Sequence, residues 1–273
     1  EGAVLDEIQR APDLPSYLQP IIDEAPVPGR WILTGSQNLS LISSVNQSLA
    51  GRTAILHLFP LARSEVLRFD ESPTSLDDAL RYGGYPRIFD QGLEPNDWLA
   101  AYVATYVERD VRMIQNVSDL GTFQRFVQLC AGRTAQLLNQ SSLAGDTGVS
   151  QPTVNAWLNI LEATFIGFRL PALHANLRKR LVKTPKLHFI DSGLACWLLG
   201  IRRSSELHSH PLRGAIFESW VVSEIVKQRA ARGERSGLYH YRDRDGREAD
   251  LVIERPGRLT IVEAKSAATI TSG

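Results

Sequence analysis

The alternation of apolar and polar residues indicates an α/β fold at the start of the chain. Short apolar runs at residues 3–5, 31–34 and 55–58 are typical of strands, and residues 16–25 favour a helix between the first two. Strands that alternate with helices predict a parallel sheet, because parallel strands need a long crossover connection. Residues 1–70 are therefore predicted to form the first domain.

The next stretch, residues 71–192, has a helical period. Apolar residues recur every three or four positions over residues 96–114 and again over residues 123–138. A helix-turn-helix followed by a β-hairpin is predicted over residues 141–192. We therefore expect a second, mainly helical domain of winged helix-turn-helix form.

The helix-turn-helix prediction depends on the residues around one turn. Leu143 and Ala144 belong to the first helix, Gly148 makes the turn, and Ser150 caps the second helix with Pro152 in its first turn. The predicted buried stripe of the second helix is Val154, Trp157, Leu158 and Leu161, and the predicted exposed positions are Gln151, Thr153, Asn155 and Asn159. Such a unit binds DNA in some proteins and contacts other proteins in others.

Residues 193–273 return to a mixed pattern. A helix is predicted over residues 214–228, and strands are predicted over residues 238–241, 249–254 and 259–264. This stretch is expected to be a small mixed α/β domain.

The charges of the chain are balanced overall but unevenly placed. Lys plus Arg and Asp plus Glu number 30 each in 273 residues, which excludes a wholly basic or acidic protein. Residues 163–190 carry six basic residues and no acid, whereas residues 1–30 carry a net charge of −4. The basic segment suits phosphate contact, with Arg178, Lys179, Arg180, Lys183 and Lys186 as the candidate DNA-binding residues. An ordinary solvated loop facing the acidic start of the chain is the alternative.

Cysteine usage and hydropathy suggest the compartment. The two cysteines, Cys130 and Cys196, give no disulfide framework and are predicted to be core thiols in a reducing, cytoplasmic protein. No apolar run approaches the roughly 18 residues of a membrane span, so no membrane association is expected.

The first candidate site follows the first predicted strand, where Asp6 and Glu7 come directly after an apolar run. In parallel sheets, ligands bind at the carboxyl ends of the strands. Paired carboxylates at that edge suit Mg²⁺ binding and the orientation of water. The alternative is a strand that simply ends at a polar helix cap.

Four short motifs in residues 1–70 together resemble a branch of the AAA+-type ATPases. They are Asp-Glu-Ile-Gln at 6–9, Thr-Gly-Ser at 34–36, Leu-Ala-Gly-Arg at 49–52, and Pro-Leu at 60–61 with Glu65. The resemblance implies ATP and Mg²⁺ as ligands, with Mg²⁺ on Asp6 and water activation by Glu7. It also implies phosphate sensing by Ser36 and a contact of Arg52 with the nucleotide of a neighbouring subunit in a homo-oligomer.

The phosphate-binding loop of such ATPases is not in this sequence. No Gly-Lys pair occurs anywhere in the chain, so no Gly-x-x-x-x-Gly-Lys-Ser/Thr motif is present. In the family this motif precedes the Asp-Glu strand, and the chain starts with Glu rather than Met. We therefore expect a fragment of a longer protein that on its own binds ATP poorly.

Residues 174–194 resemble the hallmark segment of a domain of unknown function. The matching positions are His-x-Asn at 174–176, Lys-Arg at 179–180, and Lys-x-Pro-Lys at 183–186 followed by Asp-x-Gly-Leu at 191–194. That domain follows the ATPase module in many bacterial and archaeal proteins, so the resemblance extends over nearly the whole chain.

A third set of residues predicts a carboxylate site in the last domain. Glu218 lies in the apolar stripe of its helix, where a carboxylate must be paired or coordinated. A hairpin about Pro256 and Gly257 pairs Asp250 with Glu263, and pairs Glu248 with Lys265. Glu263 and Lys265 share a face of their strand. The candidate residues Glu218, Asp250, Glu263 and Lys265 are therefore expected to converge.

This order of residues resembles the PD-(D/E)XK nucleases, which implies Mg²⁺ on Asp250 and Glu263 and a water positioned by Lys265. The alternative is a Glu248–Lys265 salt bridge in an inactive nuclease-like fold. The function expected from the resemblances is ATP hydrolysis coupled to a DNA or protein transaction. The competing hypothesis is a non-enzymatic DNA-binding or protein-binding adaptor, in which ATP acts as a conformational switch.

Overall fold

The computed structural model describes residues 2–35, 49–107, 119–174, 184–234, 236–243 and 245–266. Packing divides the chain into two compact units, residues 1–56 and 57–273. Each unit has its own hydrophobic core. The domain boundaries predicted at residues 70 and 192 stay predictions.

The first unit has the predicted parallel pair of strands. Strand β1 (Ala3–Leu5) pairs in parallel with β2 (Trp31–Leu33), and helix α1 (Leu14–Glu24) lies between them in the chain. A 3₁₀ turn (Ile8–Arg10) follows β1, and the buried side chains of Ile8 and Leu49 form the centre of a small core. The predicted α/β start of the chain is confirmed.

The strand predicted over residues 55–58 is wrong. These residues belong to no strand in the described part of the chain, and Leu56 and Leu58 are 77% and 94% exposed. An apolar run forms a strand only when a neighbouring strand completes its hydrogen bonds. Residues 53–59 have no such neighbour among the described residues.

The second unit contains ten described helices and six described strands. The helices are α2 (Arg63–Val66), α3 (Leu76–Tyr82), α4 (Pro86–Asp90), α5 (Pro95–Tyr102), α6 (Leu120–Ala131), α7 (Gln140–Thr147), α8 (Gln151–Ala163), α9 (Ser192–Leu198), α10 (Ser204–His208) and α11 (Arg213–Ala231). The strands are β3 (Gln136–Leu137), β4 (Gly167–Leu170), β5 (Lys186–Phe189), β6 (Leu238–Arg242), β7 (Glu248–Arg255) and β8 (Arg258–Val262). In the described part of the chain, no helix is long and apolar enough to cross a membrane.

Of the two helices predicted here, one runs into residues outside the described structure and the other is shorter than its sequence pattern. Helix α5 ends at Tyr102 and continues as a π-helical turn (Val103–Val107), and residues 108–114 lie outside the described residues. Helix α6 ends at Ala131 instead of continuing to residue 138. The left-handed backbone of Ala135 (φ 59°) turns the chain away, and its N–H bonds Leu187 in β5.

Two antiparallel sheets organise the second unit. One has the order β3-β5-β4, with β5 in the centre, and the other has the order β6-β7-β8. The hairpin about Pro256 and Gly257 pairs Glu254 with Leu259, as the symmetric turn predicted. This register decides which carboxylates of β7 lie next to β8.

Helices α7 and α8 lie on either side of the predicted turn, and their assignment as a winged helix-turn-helix stays a prediction. Gly148 adopts φ 80° between them, and the Ser150 hydroxyl accepts a hydrogen bond from the Thr153 N–H at 3.2 Å. Val154, Leu158 and the other residues of the predicted stripe are buried in the core of the second unit, where Trp157 lies edge-on to Phe123 of α6. Gln151, Asn155 and Asn159 are exposed.

Candidate functional site

The first candidate site lies at the carboxyl edge of the parallel pair β1–β2. Asp6 follows β1 and Thr34 follows β2, so the register brings the two residues together. The Thr34 hydroxyl donates a hydrogen bond to Asp6 Oδ1, and the Glu7 N–H donates to the same oxygen at 2.9 Å. The hydrogen bond from Thr34, and then the one from Glu7, lowers the pKa of Asp6 below its ordinary value. The exposed carboxylate is therefore ionised at neutral pH.

Glu7 has an unusual backbone at this edge. Its φ of 54° lies in the left-handed region, which residues other than glycine seldom occupy. The residue turns the chain from β1 into the 3₁₀ turn at Ile8, and its side chain is about two-fifths exposed. Sparsely populated backbone conformations cluster at functional sites.

The other two predicted residues of this site have different outcomes. Ser36 lies outside the described residues. Arg52 forms a two-point ion pair with Asp23 of α1, with Nε 2.5 Å from Oδ1 and Nη2 3.0 Å from Oδ2. Its guanidinium is thus held within its own chain, and its assignment to a neighbouring subunit's nucleotide stays a prediction.

The oxygen atoms at this edge suit a magnesium ion. An ionised carboxylate oxygen and a hydroxyl oxygen are suitable ligands for Mg²⁺, directly or through a bound water molecule. The Gly-x-x-x-x-Gly-Lys-Ser/Thr loop, whose backbone N–H groups and lysine hold nucleotide phosphates, is absent from this sequence. The residues present therefore fit the metal side of a nucleotide site.

The second candidate site is a carboxylate cluster around a buried lysine. Lys186 begins the central strand β5 and is only 3% exposed. Its Nζ lies 2.8 Å from Glu218 on α11, 2.7 Å from Glu248 on β7, and 3.5 Å from Asp250 on β7. The prediction that Glu218 requires a partner is confirmed, and that partner is Lys186.

Hydrogen bonds hold the elements of this cluster in place. Ser219, next to Glu218 on α11, accepts a hydrogen bond from the Phe189 N–H of β5 at 3.1 Å. Asp250 Oδ2 accepts a hydrogen bond from the Ala264 N–H at 2.9 Å, just beyond β8. The lysine therefore joins β5, α11 and β7 at their point of contact.

Burial and the lysine have opposite effects on the ionisation of the cluster. Burial raises the pKa of Glu218 to about 7, and the Lys186 ammonium opposes that shift. Burial alone would lower the pKa of Lys186, but hydrogen bonds to Glu218 and Glu248 raise it. The lysine is therefore a permanent cation among carboxylates.

His188 lies two residues further along β5. It is fully buried against Phe168, with ring centroids 5.4 Å apart, and neither ring nitrogen has a hydrogen-bond partner among the described residues. Burial, followed by the charge of Lys186, lowers its pKa to about 3. The imidazole is therefore neutral at physiological pH.

Two of the predictions at this cluster need correction. Lys186 is not an exposed phosphate contact, because it is buried and surrounded by three carboxylates. Lys265 does share a face with Glu263, at 3.9 Å, but both side chains are about half exposed. The lysine that contacts Glu218 and Asp250 is Lys186 and not Lys265, and the water-positioning role of Lys265 stays a prediction.

The predicted metal site on Asp250 and Glu263 stays a prediction. Asp250 is engaged by Lys186 and by the Ala264 N–H, and the described strand pairing ends at Leu251 and Val262, one pair short of Asp250 and Glu263. Across the described ranges, no group of three or more His, Cys, Asp or Glu residues is placed to hold a metal ion.

The basic segment has few members in the described structure. Arg178, Lys179, Arg180 and Lys183 lie outside the described residues. Arg169 bonds Glu162, and also Asn159 Oδ1 at 2.7 Å. Of the six positive charges in residues 163–190, those of Arg169 and Lys186 are thus neutralised within the protein.

Sequence reasoning missed two residues of these sites. Thr34 was visible as a hydroxyl at a strand end, but the sequence does not say that it contacts Asp6. Lys186 stands in a strand whose four residues are all buried. A lysine in a fully buried strand requires an acidic partner, so the position of Lys186 in an apolar strand pattern was the sequence feature that pointed to a buried ion pair.

Comparison with known families supports an AAA-type, ATPase-like protein. A family described as AAA domain matches residues 1–67. Two domains of unknown function match residues 73–205 (DUF8612) and residues 213–273 (DUF4143).

Curated relatives come from mycobacteria. An uncharacterized protein of Mycobacterium bovis and an uncharacterized protein of Mycobacterium tuberculosis are each 30% identical to the chain over 267 residues. The alignment covers 97% of this chain but only 58% of each relative. No solved structure gives a significant match.

Proposed function

We propose that the protein hydrolyses ATP, with Asp6 and Glu7 at the catalytic edge of the first unit. The observation that carries the proposal is the hydrogen bond from Thr34 to Asp6 across the carboxyl ends of two parallel strands. Asp6 would hold Mg²⁺, which supplies charge stabilisation to the transferred phosphoryl group. Glu7, next in the chain, would orient the attacking water. The match of residues 1–67 to an AAA domain supports this assignment.

Replacing Thr34 tests the importance of the hydrogen bond from Thr34 to Asp6. In the full-length natural protein, Thr34→Val removes the hydroxyl that orients Asp6, at a cost of about 1–2 kcal/mol. We expect ATP turnover to fall about tenfold. Thr34→Ser retains the hydroxyl and is expected to stay within about twofold of the wild type. Equal turnover by the valine and serine variants would remove Thr34 from the site.

We propose further that DNA is the partner on which the ATPase acts. The support is the predicted helix-turn-helix, whose second helix α8 leaves Gln151 exposed, whereas the exposed amides of Asn155 and Asn159 accept hydrogen bonds from Arg169. Amide side chains at such positions are suited to reading base edges in a major groove. Arg178, Lys179, Arg180 and Lys183 would supply phosphate contacts from the segment that follows β4.

The salt dependence of DNA binding tests this partner. Arg178→Ala/Lys179→Ala/Arg180→Ala should weaken binding to a short duplex and lower the salt slope by about 3, roughly one per lost phosphate contact. Fluorescence anisotropy at several salt concentrations measures both quantities. Arg232→Ala, at an exposed position at the end of α11, is the matched control. If the triple variant and the control have the same affinity and slope, the basic segment is not the DNA contact.

The carboxylate cluster favours an inactive nuclease-like fold over a cleaving one. The Lys186 ammonium lies within 3.5 Å of carboxylate oxygens of Glu218, Glu248 and Asp250, and so takes the position among them that a metal ion would need. We therefore assign the last part of the chain a binding and structural role. The Lys186 variants described in the Discussion test this assignment.

A further inference from the structure

The segment that ends the AAA-matched stretch is packed into the second unit. The match to the AAA domain runs to residue 67, whereas the second unit begins at residue 57. Residues 57–67 therefore belong to the ATPase part by sequence and to the other unit by packing. We refer to residues 57–63 of this stretch as the strap.

An aromatic contact attaches the beginning of the strap to the helix-turn-helix. The rings of His57 and Phe59 each lie 5.0 Å, centroid to centroid, from the ring of Phe165. Phe165 follows the end of α8 with a left-handed backbone (φ 55°), which few residues other than glycine adopt. The strap is thus attached to the end of the helix that would enter a DNA groove.

A buried ion pair on α11 attaches the other end of the strap. The Arg63 N–H donates to Glu224 Oε2 at 2.6 Å, and Lys227 Nζ donates to the Leu61 carbonyl at 3.2 Å. Glu224 and Lys227 are less than one-tenth exposed and lie 3.3 Å from each other. Two buried charges are therefore directed at strap backbone groups instead of at a ligand or solvent.

The Gly83–Gly84 turn packs against the middle of the strap. The Leu61 N–H donates to the Gly84 carbonyl at 2.7 Å, and the Gly84 N–H donates to the buried Asp191 carboxylate at 2.7 Å. A Cβ atom on Gly84 would lie 2.2 Å from the Leu61 carbonyl oxygen, so no larger residue fits there. The strap is therefore held at three separate places in the second unit.

We propose that the strap is the relay through which the nucleotide state of the ATPase part reaches the helix-turn-helix. This inference rests on the proposed ATPase function. A segment fixed at three places moves its attachment points when its upstream end moves, whereas a loose linker would absorb the motion. The strap thereby gives the Pro60-Leu61 and Glu65 motif a structural role. Glu65 accepts the Ala62 N–H at 2.8 Å and fixes the start of α2.

Hydrogen exchange in the full-length protein tests the relay, with a non-hydrolysable ATP analogue and Mg²⁺ as the added ligand. In the wild type, the analogue should change the exchange of residues 151–163 severalfold. Glu224→Gln/Lys227→Met removes both charges together and leaves no unpaired one, and Phe165→Leu removes the aromatic contact. Both variants should lose the response at residues 151–163 while retaining wild-type ATP turnover. Gln228→Ala, exposed on α11, should keep the response.

The same experiment gives a second measurement that does not depend on nucleotide, the exchange rate of the Arg63 amide. Without ligand, the Arg63 amide should exchange about tenfold faster in Glu224→Gln/Lys227→Met than in the wild type, because the neutral glutamine oxygen is a weaker hydrogen-bond acceptor than the charged carboxylate. The relay is overturned if the wild type turns over ATP but shows no response at residues 151–163, or if both strap variants transmit it unchanged. Absence of ATP turnover in the wild type would instead refute the proposed function, and the relay with it.

Discussion

Replacing Lys186 with methionine is expected to lower the free energy of unfolding by about 3–5 kcal/mol, because removing one partner leaves buried carboxylates without compensation. The three carboxylates lie within 3.5 Å of the lysine Nζ, and the side chains of Glu218 and Asp250 are 15% and 11% exposed. Methionine retains the length of the apolar part of the lysine side chain. The loss of unfolding free energy therefore comes from removal of the charge and not from a cavity. Urea denaturation of wild type and variant gives the difference directly.

Two further variants make the Lys186 result specific. Lys265→Met removes a lysine that is about half exposed, and it should change stability by less than about 1 kcal/mol. Lys186→Met/Glu218→Gln should recover part of the loss, because one uncompensated acid is gone. If Lys186→Met unfolds like the wild type, the structural assignment is wrong. If Lys186→Met gains Mg²⁺-dependent DNA cleavage, the cluster is a cleavage site and the structural assignment is likewise wrong.

Loss of the Glu7 carboxylate has the largest expected effect on activity. Orientation and deprotonation of the attacking water by a positioned carboxylate contribute about 10²–10⁴-fold to rate. Glutamine has the same shape but accepts no proton. Glu7 is partly exposed, and it forms an ion pair with Arg10 at 3.6 Å. Its replacement is therefore expected to reduce turnover with little effect on folding.

Local patterns predicted the parts of the fold that depend on neighbours in sequence. Turn chemistry at Gly148 and Pro256–Gly257 located the turn between α7 and α8 and the β7–β8 register. The helical period located α11 and showed that Glu218 requires a partner. These features depend on residues close together in the chain, where period and turn type decide the outcome.

Long-range pairing was beyond the sequence. The partner of Glu218 is Lys186, 32 residues upstream and in a stretch assigned to another domain. The Glu-x-Lys spacing favours Lys265 instead, because Lys265 and Glu263 share a face of one predicted strand. The strand predicted at residues 55–58 failed for the same reason, since an apolar run does not reveal whether a neighbouring strand exists. Instead, His57 and Phe59 pack against Phe165, more than one hundred residues away.

Phosphate release by full-length Glu7→Gln at saturating ATP and Mg²⁺ is the most direct test of the ATPase assignment. The account predicts turnover at least about 10²-fold below the wild type, with ATP still bound. Glu24→Gln, an exposed acid at the end of α1, should match the wild type. Wild-type turnover by Glu7→Gln would contradict the assignment of the β1–β2 edge as the site of hydrolysis.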